Sequence, residues 1–219
     1  MKNVLIYGDS NAWGYDSARY VPEANAFQRM TETERWPALV QTMLGSDYHI
    51  IEDALNGRTV VWDDPYMPGR NGLVGLKMAL DANAPLDLVV IHLGCNELKE
   101  YFNLSAAMIA RGMEMLVREC NVPYYGYPAP KVLLIAPAPT HPDIATIRDG
   151  ISFGPTAYPK SCELGKRYRV IAERNHCGFI DCAEFNFEIN TMDGLHYSRA
   201  DHARLAPVVA EKIREMLNG

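Results

Sequence analysis

Leu86-Asp87-Leu88-Val89-Val90-Ile91-His92-Leu93, followed at once by Gly94-Cys95-Asn96-Glu97, is the stretch on which the fold turns. Its centre, Leu88-Val89-Val90-Ile91, is apolar at every position. A strand with one wet face alternates apolar and polar residues, so an unbroken apolar run implies burial on both faces. Strands of that kind lie in parallel sheets covered by helices on either side. The run Val132-Leu133-Leu134-Ile135, within Lys131 to Ala136, repeats the pattern. Outward from these two, Val4 to Tyr7, Tyr48 to Asp53 and Gly178 to Asp181 supply three more short apolar runs. Helix-like stretches separate them: Trp36 to Leu44, Leu73 to Ala82, Leu104 to Cys120, Cys162 to His176 and Arg199 to Leu217. In the last of these, Leu205, Val208, Val209, Ile213, Met216 and Leu217 recur at helical spacing, and Gly219 ends the chain. Strands alternating with helices predict an α/β fold of three layers, α/β/α, around a doubly wound sheet.

The chain of 219 residues fits one domain spanning 1–219, with no repeat, linker or low-complexity tract. Its formal net charge of −6 argues against nucleic acid or an anionic membrane as partner, since both call for basic patches. Met1 and Lys2 lead straight into Val4–Tyr7, too short for a secretory core. Cys95, Cys120, Cys162, Cys177 and Cys182 are odd in number and irregular in spacing, which fits neither a disulfide framework nor a zinc site. A reducing, cytoplasmic setting is the expectation. Two segments, 63–72 and Pro137 to Lys160, read as long loops of the kind that form lids, pocket walls or subunit contacts.

Chemistry-bearing residues fall where such a sheet places ligands, beyond the carboxyl ends of its strands. Gly8-Asp9-Ser10-Asn11 follows the first strand. Taken alone, a serine there caps a helix or makes a turn. Asp193-Gly194-Leu195-His196, just before the last helix, changes that weighting. A serine nucleophile needs a base, and the base needs a carboxylate to fix its tautomer. Asp-x-x-His on one loop supplies both. Asn56-Gly57-Arg58-Thr59 follows the second strand and Gly94-Cys95-Asn96-Glu97 the third. The Gly57 and Ser10 amides and the Asn96 side chain are therefore candidate donors to an oxyanion.

Ser10, Gly57, Asn96 and His196, in that order and each after the right strand, resemble the four sequence blocks of the SGNH or GDSL hydrolases. The likeness spans nearly the whole chain. Further strings point to the arylesterase and acyltransferase branch of mycobacterial type. They include Trp13-Gly14, Arg35-Trp36, Asp63-Asp64-Pro65, Lys99 with Tyr101-Phe102, and Tyr127-Pro128-Ala129-Pro130. The resemblance implies a flavodoxin-like five-stranded parallel sheet, a Ser10–His196–Asp193 triad, and no metal or organic cofactor. It also implies large homo-oligomers whose subunits help to close the site. Asn11 stands where the signature usually has leucine, and Glu97 where aspartate usually follows the asparagine.

Asn11, Trp13, Trp62 and Phe153, with Tyr158, are candidate substrate contacts, the aromatic ones as apolar walls. Asp9 is a candidate support of the serine loop, His92 a core residue, His141 a pocket residue and His202 a surface one. Cys95 has no base spaced to serve it. The expected activity is hydrolysis of small aryl or short-chain carboxylic esters, with acyl transfer through an acyl-enzyme. Carbohydrate O-acetyl esterase activity is an alternative. A flavodoxin-like nucleotide-binding module is another, although neither G-x-G-x-x-G nor a P-loop lysine is present.

Overall fold

The computed structural model describes residues 1–24, 26–147, 152–189 and 191–218. Part of the loop expected over Pro137 to Lys160 (148–151) and the terminal Gly219 thus lie outside the described residues. Strand β1 (Lys2–Gly8) leads through a short helix, α1 (Ser10–Trp13), to a hairpin of β2 (Tyr15–Val21) and β3 (Ala26–Arg29). Helix α2 (Trp36–Leu44), β4 (Tyr48–Ala54), α3 (Gly72–Asn83), β5 (Leu88–His92) and α4 (Ala106–Cys120) follow. The chain closes with β6 (Lys131–Ala136), α5 (Ile144–Ile147), α6 (Ala157–Arg174), β7 (Gly178–Asp181) and α7 (Arg199–Asn218).

The main sheet has the order β4-β1-β5-β6-β7, with every pair parallel. Chain direction across the sheet reverses between β1 and β5, and a doubly wound sheet opens its ligand crevice at that switch point. Ser10 follows β1 and Asn96 follows β5, so the two flank the crevice.

Alternation along each strand sorts the core into two layers. Leu5, Tyr7, Val89, Ile91, Val132 and Leu134 face one way, with Leu76 and Leu80 of α3, Ile109, Met113 and Leu116 of α4, and Leu164 and Tyr168 of α6. Val4, Ile6, Leu88, Val90, Leu133 and Ile135 face the other, with Trp36 and Val40 of α2 and Leu205, Val209 and Ile213 of α7. Each fully buried Leu, Ile or Val contributes roughly 1.5–3 kcal/mol. Exposed ion pairs are worth under about 1 kcal/mol apiece. The two apolar layers therefore hold the sheet between its helices, and the unbroken apolarity of β5 and β6 has its reason there. Among the described residues, no helix is long and apolar enough to cross a membrane.

Three expectations need correction. The β2–β3 hairpin is an element the sequence did not announce. Helix α6 starts at Ala157 rather than Cys162, because Pro159 sits in its first turn, where the missing N–H has no intrahelical partner to lose. His202 is buried rather than exposed, and its Nδ1 accepts the Trp36 N–H at 3.0 Å. That amide belongs to the first turn of α2, whose preceding Arg35 offers no side-chain cap, so His202 satisfies an otherwise orphaned donor. His92 is the core residue expected, with Nε2 3.1 Å from the Tyr197 hydroxyl.

Candidate active site

Glycine at position 8 lets α1 turn back against the end of β1, since an added Cβ would lie 2.4 Å from that of Ala12. Asp9 caps the helix, its Oδ1 accepting the Asn11 N–H at 2.9 Å. Ser10 is then the first helical residue, held at the carboxyl edge of the sheet and only 5% exposed. Its N–H makes no hydrogen bond to any described residue, as a first-turn amide does when nothing caps it. Burial pushes the Asp9 carboxyl up to about 6, against the opposing Asn11 N–H and the His196 and Arg58 charges.

The Asp193–His196 loop is shaped by the aspartate itself. Oδ1 accepts the backbone N–H groups of Leu195 and His196, both at 2.9 Å, while Gly194 takes a left-handed φ of 70°. Oδ2 is left for the imidazole, 2.7 Å from His196 Nδ1. Burial alone would raise the Asp193 carboxyl. The hydrogen bond and charge of His196, with the two backbone donors, outweigh it and hold the group well below the usual carboxylate range. An ionised Asp193 accepts a hydrogen bond from Nδ1–H, leaving Nε2 to accept. Nε2 lies 2.8 Å from Ser10 Oγ. The line Asp193–His196–Ser10 is the arrangement that activates a hydroxyl for attack. The ring of Tyr15 stacks on the imidazole with centroids 4.2 Å apart and planes at 27°.

Asn11, expected beside the substrate, serves the loop instead. Its Oδ1 accepts the Tyr197 N–H at 3.0 Å and its Nδ2 lies 3.5 Å from the Leu195 carbonyl, so the residue staples the serine turn to the histidine loop. A leucine there could make neither bond.

The other two loops are tied to the same edge. Leu55 N–H donates to the Gly8 carbonyl at 3.1 Å, and Arg58 Nη1 reaches that carbonyl at 3.1 Å while Nη2 bonds Asp53 Oδ1 at 2.7 Å. Asn96 Nδ2 donates one hydrogen to the Arg58 carbonyl at 3.0 Å, leaving its second. Gly57 has φ 79°, a conformation open to glycine, and among the described residues no group takes its N–H. Ser10, Gly57 and Asn96 thus each offer a donor at one sheet edge.

Glu97 is fully buried beneath this loop, accepting the Val60 N–H through Oε1, while Oε2 has no partner among the described residues. Burial pushes its carboxyl up to about 8. An exposed glutamate ionises near about 4.3, so between these values the folded chain keeps a proton that the unfolded chain releases. Stability accordingly falls as pH rises through that window. Burial pushes the imidazoles of His92 and His202 the other way, down to about 3, so their contribution is lost as pH falls below about 6.5. Glu97→Gln is expected to remove the fall in melting temperature between about pH 4.3 and 8 that Glu97 causes, and to leave the profile below about pH 4 unchanged in slope. Parallel profiles for the two proteins would put that ionisation on another residue.

The loop over 63–72 is pinned rather than loose. Asp64 Oδ2 accepts from Lys99 Nζ at 3.0 Å and from the Tyr101 hydroxyl at 2.8 Å, and Oδ1 accepts the Tyr66 and Met67 amides. Burial opposes this ionisation, but these donors together draw the carboxyl below its ordinary value. Trp13 is half-buried with the Arg29 guanidinium 5.2 Å above its ring. Trp62 lies against Gly112 of α4, and with Phe153 it packs on the core layer of α3, α4 and α6. None of the three is brought to Ser10 by a hydrogen bond or ring contact among the described residues. Cys95 is buried, and burial drives its thiol well above the ordinary range, which suits a packing role. His141 donates its N–H to the Gly194 carbonyl at 2.8 Å and lines a cavity of about 590 Å³ with Thr140, Tyr158, Asn186 and Phe187. Tyr15, Arg58 and the Asp64 clamp are site supports that the sequence reading did not single out, although Asp64, Lys99 and Tyr101 belong to the family-like strings.

Residues 6–204 match the GDSL-like Lipase/Acylhydrolase family. Comparison with curated proteins finds no match. Among solved structures, the native aryl esterase of M. smegmatis is 33% identical with a TM-score of 0.87, over 99% of this chain and 100% of that one. Est24, a carbohydrate acetylesterase from Sinorhizobium meliloti, is 35% identical with a TM-score of 0.86, again over 99% and 100%.

Proposed function

Because the chain belongs to the GDSL-like lipase/acylhydrolase family, we propose that its esterase chemistry runs through Ser10 as nucleophile, His196 as base and Asp193 as orienting carboxylate. The chain is an SGNH-type hydrolase, and the nucleotide-binding alternative falls with that membership. Ser10 Oγ attacks the ester carbonyl as its proton moves to His196 Nε2. The carbonyl oxygen becomes an oxyanion, which the Ser10 and Gly57 amides and the free Asn96 N–H stabilise. Collapse expels the alkoxide, which takes the proton from Nε2, and leaves an acyl group on Oγ. Water attacks that ester by the same steps in reverse, Nε2 again taking and returning the proton. The observation that carries this reading is the 2.8 Å contact of Ser10 Oγ with an imidazole whose other nitrogen is 2.7 Å from a carboxylate.

The substrates are aryl and short-chain acyl esters. A second reading, O-acetyl esters of carbohydrates, is favoured by the likeness to Est24. Rates on p-nitrophenyl acetate, butyrate and octanoate beside an acetylated xyloside separate the two. The first reading expects the aryl acetate to lead and kcat/KM to fall with chain length. A fully acetylated sugar processed faster than the aryl acetate would install the second.

Acyl transfer belongs to the proposal as well. It is carried by the resemblance to the arylesterase and acyltransferase branch. The advantage of water at roughly 55 M over a 1 M alcohol is only about 2.4 kcal/mol, which positioning of an acceptor can offset. The ratio of transfer product to free acid in dilute aqueous alcohol is expected to exceed the alcohol-to-water molar ratio. A ratio that merely follows it would leave a hydrolase alone. Assembly into homo-oligomers, carried by the resemblance to the arylesterase branch, and a cytoplasmic setting, carried by the number and spacing of the cysteines, are the remaining parts of the proposal.

A further inference from the structure

His196 is held at both ring nitrogens, by Asp193 Oδ2 and by Ser10 Oγ. Two in-plane bonds define a line, and rotation of the ring about that line stays soft. A flat group on the ring face removes that freedom. The Tyr15 ring lies there, 4.2 Å between centroids and 27° from parallel. Tyr15 itself is placed by neighbours on both sides. Before it, Gly14 takes φ 87°, with its carbonyl accepting the Met30 N–H at 2.7 Å. After it, buried Asp16 forms an ion pair with Arg199, at the start of α7 and three residues beyond His196. Arg199 also pairs with Glu34 at 3.0 Å, and Arg19 pairs with Asp16 at 3.5 Å and with Glu34 at 3.0 Å. One charged cluster thus binds the base of the hairpin to the helix that follows the histidine.

We infer that Tyr15 is a positioning residue for His196, its stacked ring holding the imidazole plane at the angle from which Nε2 takes the Ser10 proton. The β2–β3 hairpin is the support that keeps it there. This rests on the reading of His196 as the base. Ring stacking is the interaction involved, so phenylalanine serves and an aliphatic side chain does not.

The test uses Tyr15→Phe, Tyr15→Leu and, in case leucine destabilises the hairpin, Tyr15→Met, with Ser10→Ala as reference and melting curves for all four. Tyr15→Leu and Tyr15→Met are expected to lower kcat about three- to ten-fold. KM should stay within about two-fold, and the loss should be equal for p-nitrophenyl acetate and butyrate. Tyr15→Phe should retain wild-type kcat. A loss that appears in KM, or that changes with acyl length, would make Tyr15 a wall of the substrate site and overturn the inference. So would a phenylalanine variant as impaired as the leucine one. Ser10→Ala separates the two levels: if it keeps activity, the triad reading falls and the role of Tyr15 with it, whereas an inactive Ser10→Ala beside a fully active Tyr15→Leu sinks only the positioning role.

Discussion

Ser10→Ala, in a protein that still folds, is expected to lower kcat for p-nitrophenyl acetate by several orders of magnitude, and His196→Ala by nearly as much. In the proposed mechanism the two residues act as one unit, one losing the proton that the other gains. The double variant is therefore expected to be no slower than either single one, whereas independent contributions would multiply. Asp193→Asn adds a sharper requirement. Asparagine keeps the Oδ1 that shapes the loop, but its amide nitrogen would face His196 Nδ1 and reverse the tautomer, turning Nε2 into a donor. A fall in kcat of about 10³- to 10⁴-fold with an unchanged melting temperature is the expected outcome. A folded Ser10→Ala enzyme that turned over normally would remove the mechanism altogether. Labelling by a fluorophosphonate tests the nucleophile independently of turnover, since it should modify the wild type at Ser10 and leave the alanine variant untouched.

The second large effect concerns the developing charge. Asn96→Ala is expected to reduce kcat by about 10²- to 10³-fold while KM changes little, because the second N–H of Asn96 acts on an oxyanion that the ground-state ester does not carry. The first N–H is committed to the Arg58 carbonyl at 3.0 Å, so the alanine variant also frees the Gly57–Thr59 turn from β5. Asn96→Asp, which also loses both N–H groups, tests the sign of the charge facing the oxyanion. It keeps the size of the side chain but turns a carboxylate toward the oxyanion, so it should be at least as slow as alanine. A defect confined to KM would make Asn96 a ground-state binding group.

The central sheet was legible because burial on both faces leaves a mark that periodicity can read. Leu88–Ile91 of β5 and Val132–Ala136 of β6 are apolar at every step, and alternate residues meet different layers of helices. The proposed reacting groups could be placed for another reason. Their positions follow strands whose carboxyl ends must share one edge, and Asp-x-x-His closes its own loop. The hairpin of β2 and β3 left no such mark. Among the described residues its strands join neither apolar layer and are anchored by Asp16, Arg19, Glu34 and Arg199, and charge pairs between distant residues have no period along the chain. Tyr15 was unreadable as a support for the same reason. His202 could have been placed correctly, since 202, 205, 209 and 213 share one face of α7. Its polarity outweighed its position. Asn11 misled in the opposite sense, a polar residue beside a nucleophile whose side chain is used up by the backbone of residues 195–197.

The contact between Ser10 and His196 joins residues 186 positions apart, from the first strand to the turn before the last helix. Closing a loop of that length costs conformational entropy, and folds rich in such non-local contacts form slowly. An amino-terminal fragment, however well structured, holds the hydroxyl without its base, and a nascent chain is in the same position until its final segment emerges. Under the proposed mechanism, the recovery of turnover during refolding therefore reports the meeting of Ser10 and His196 rather than the formation of the sheet.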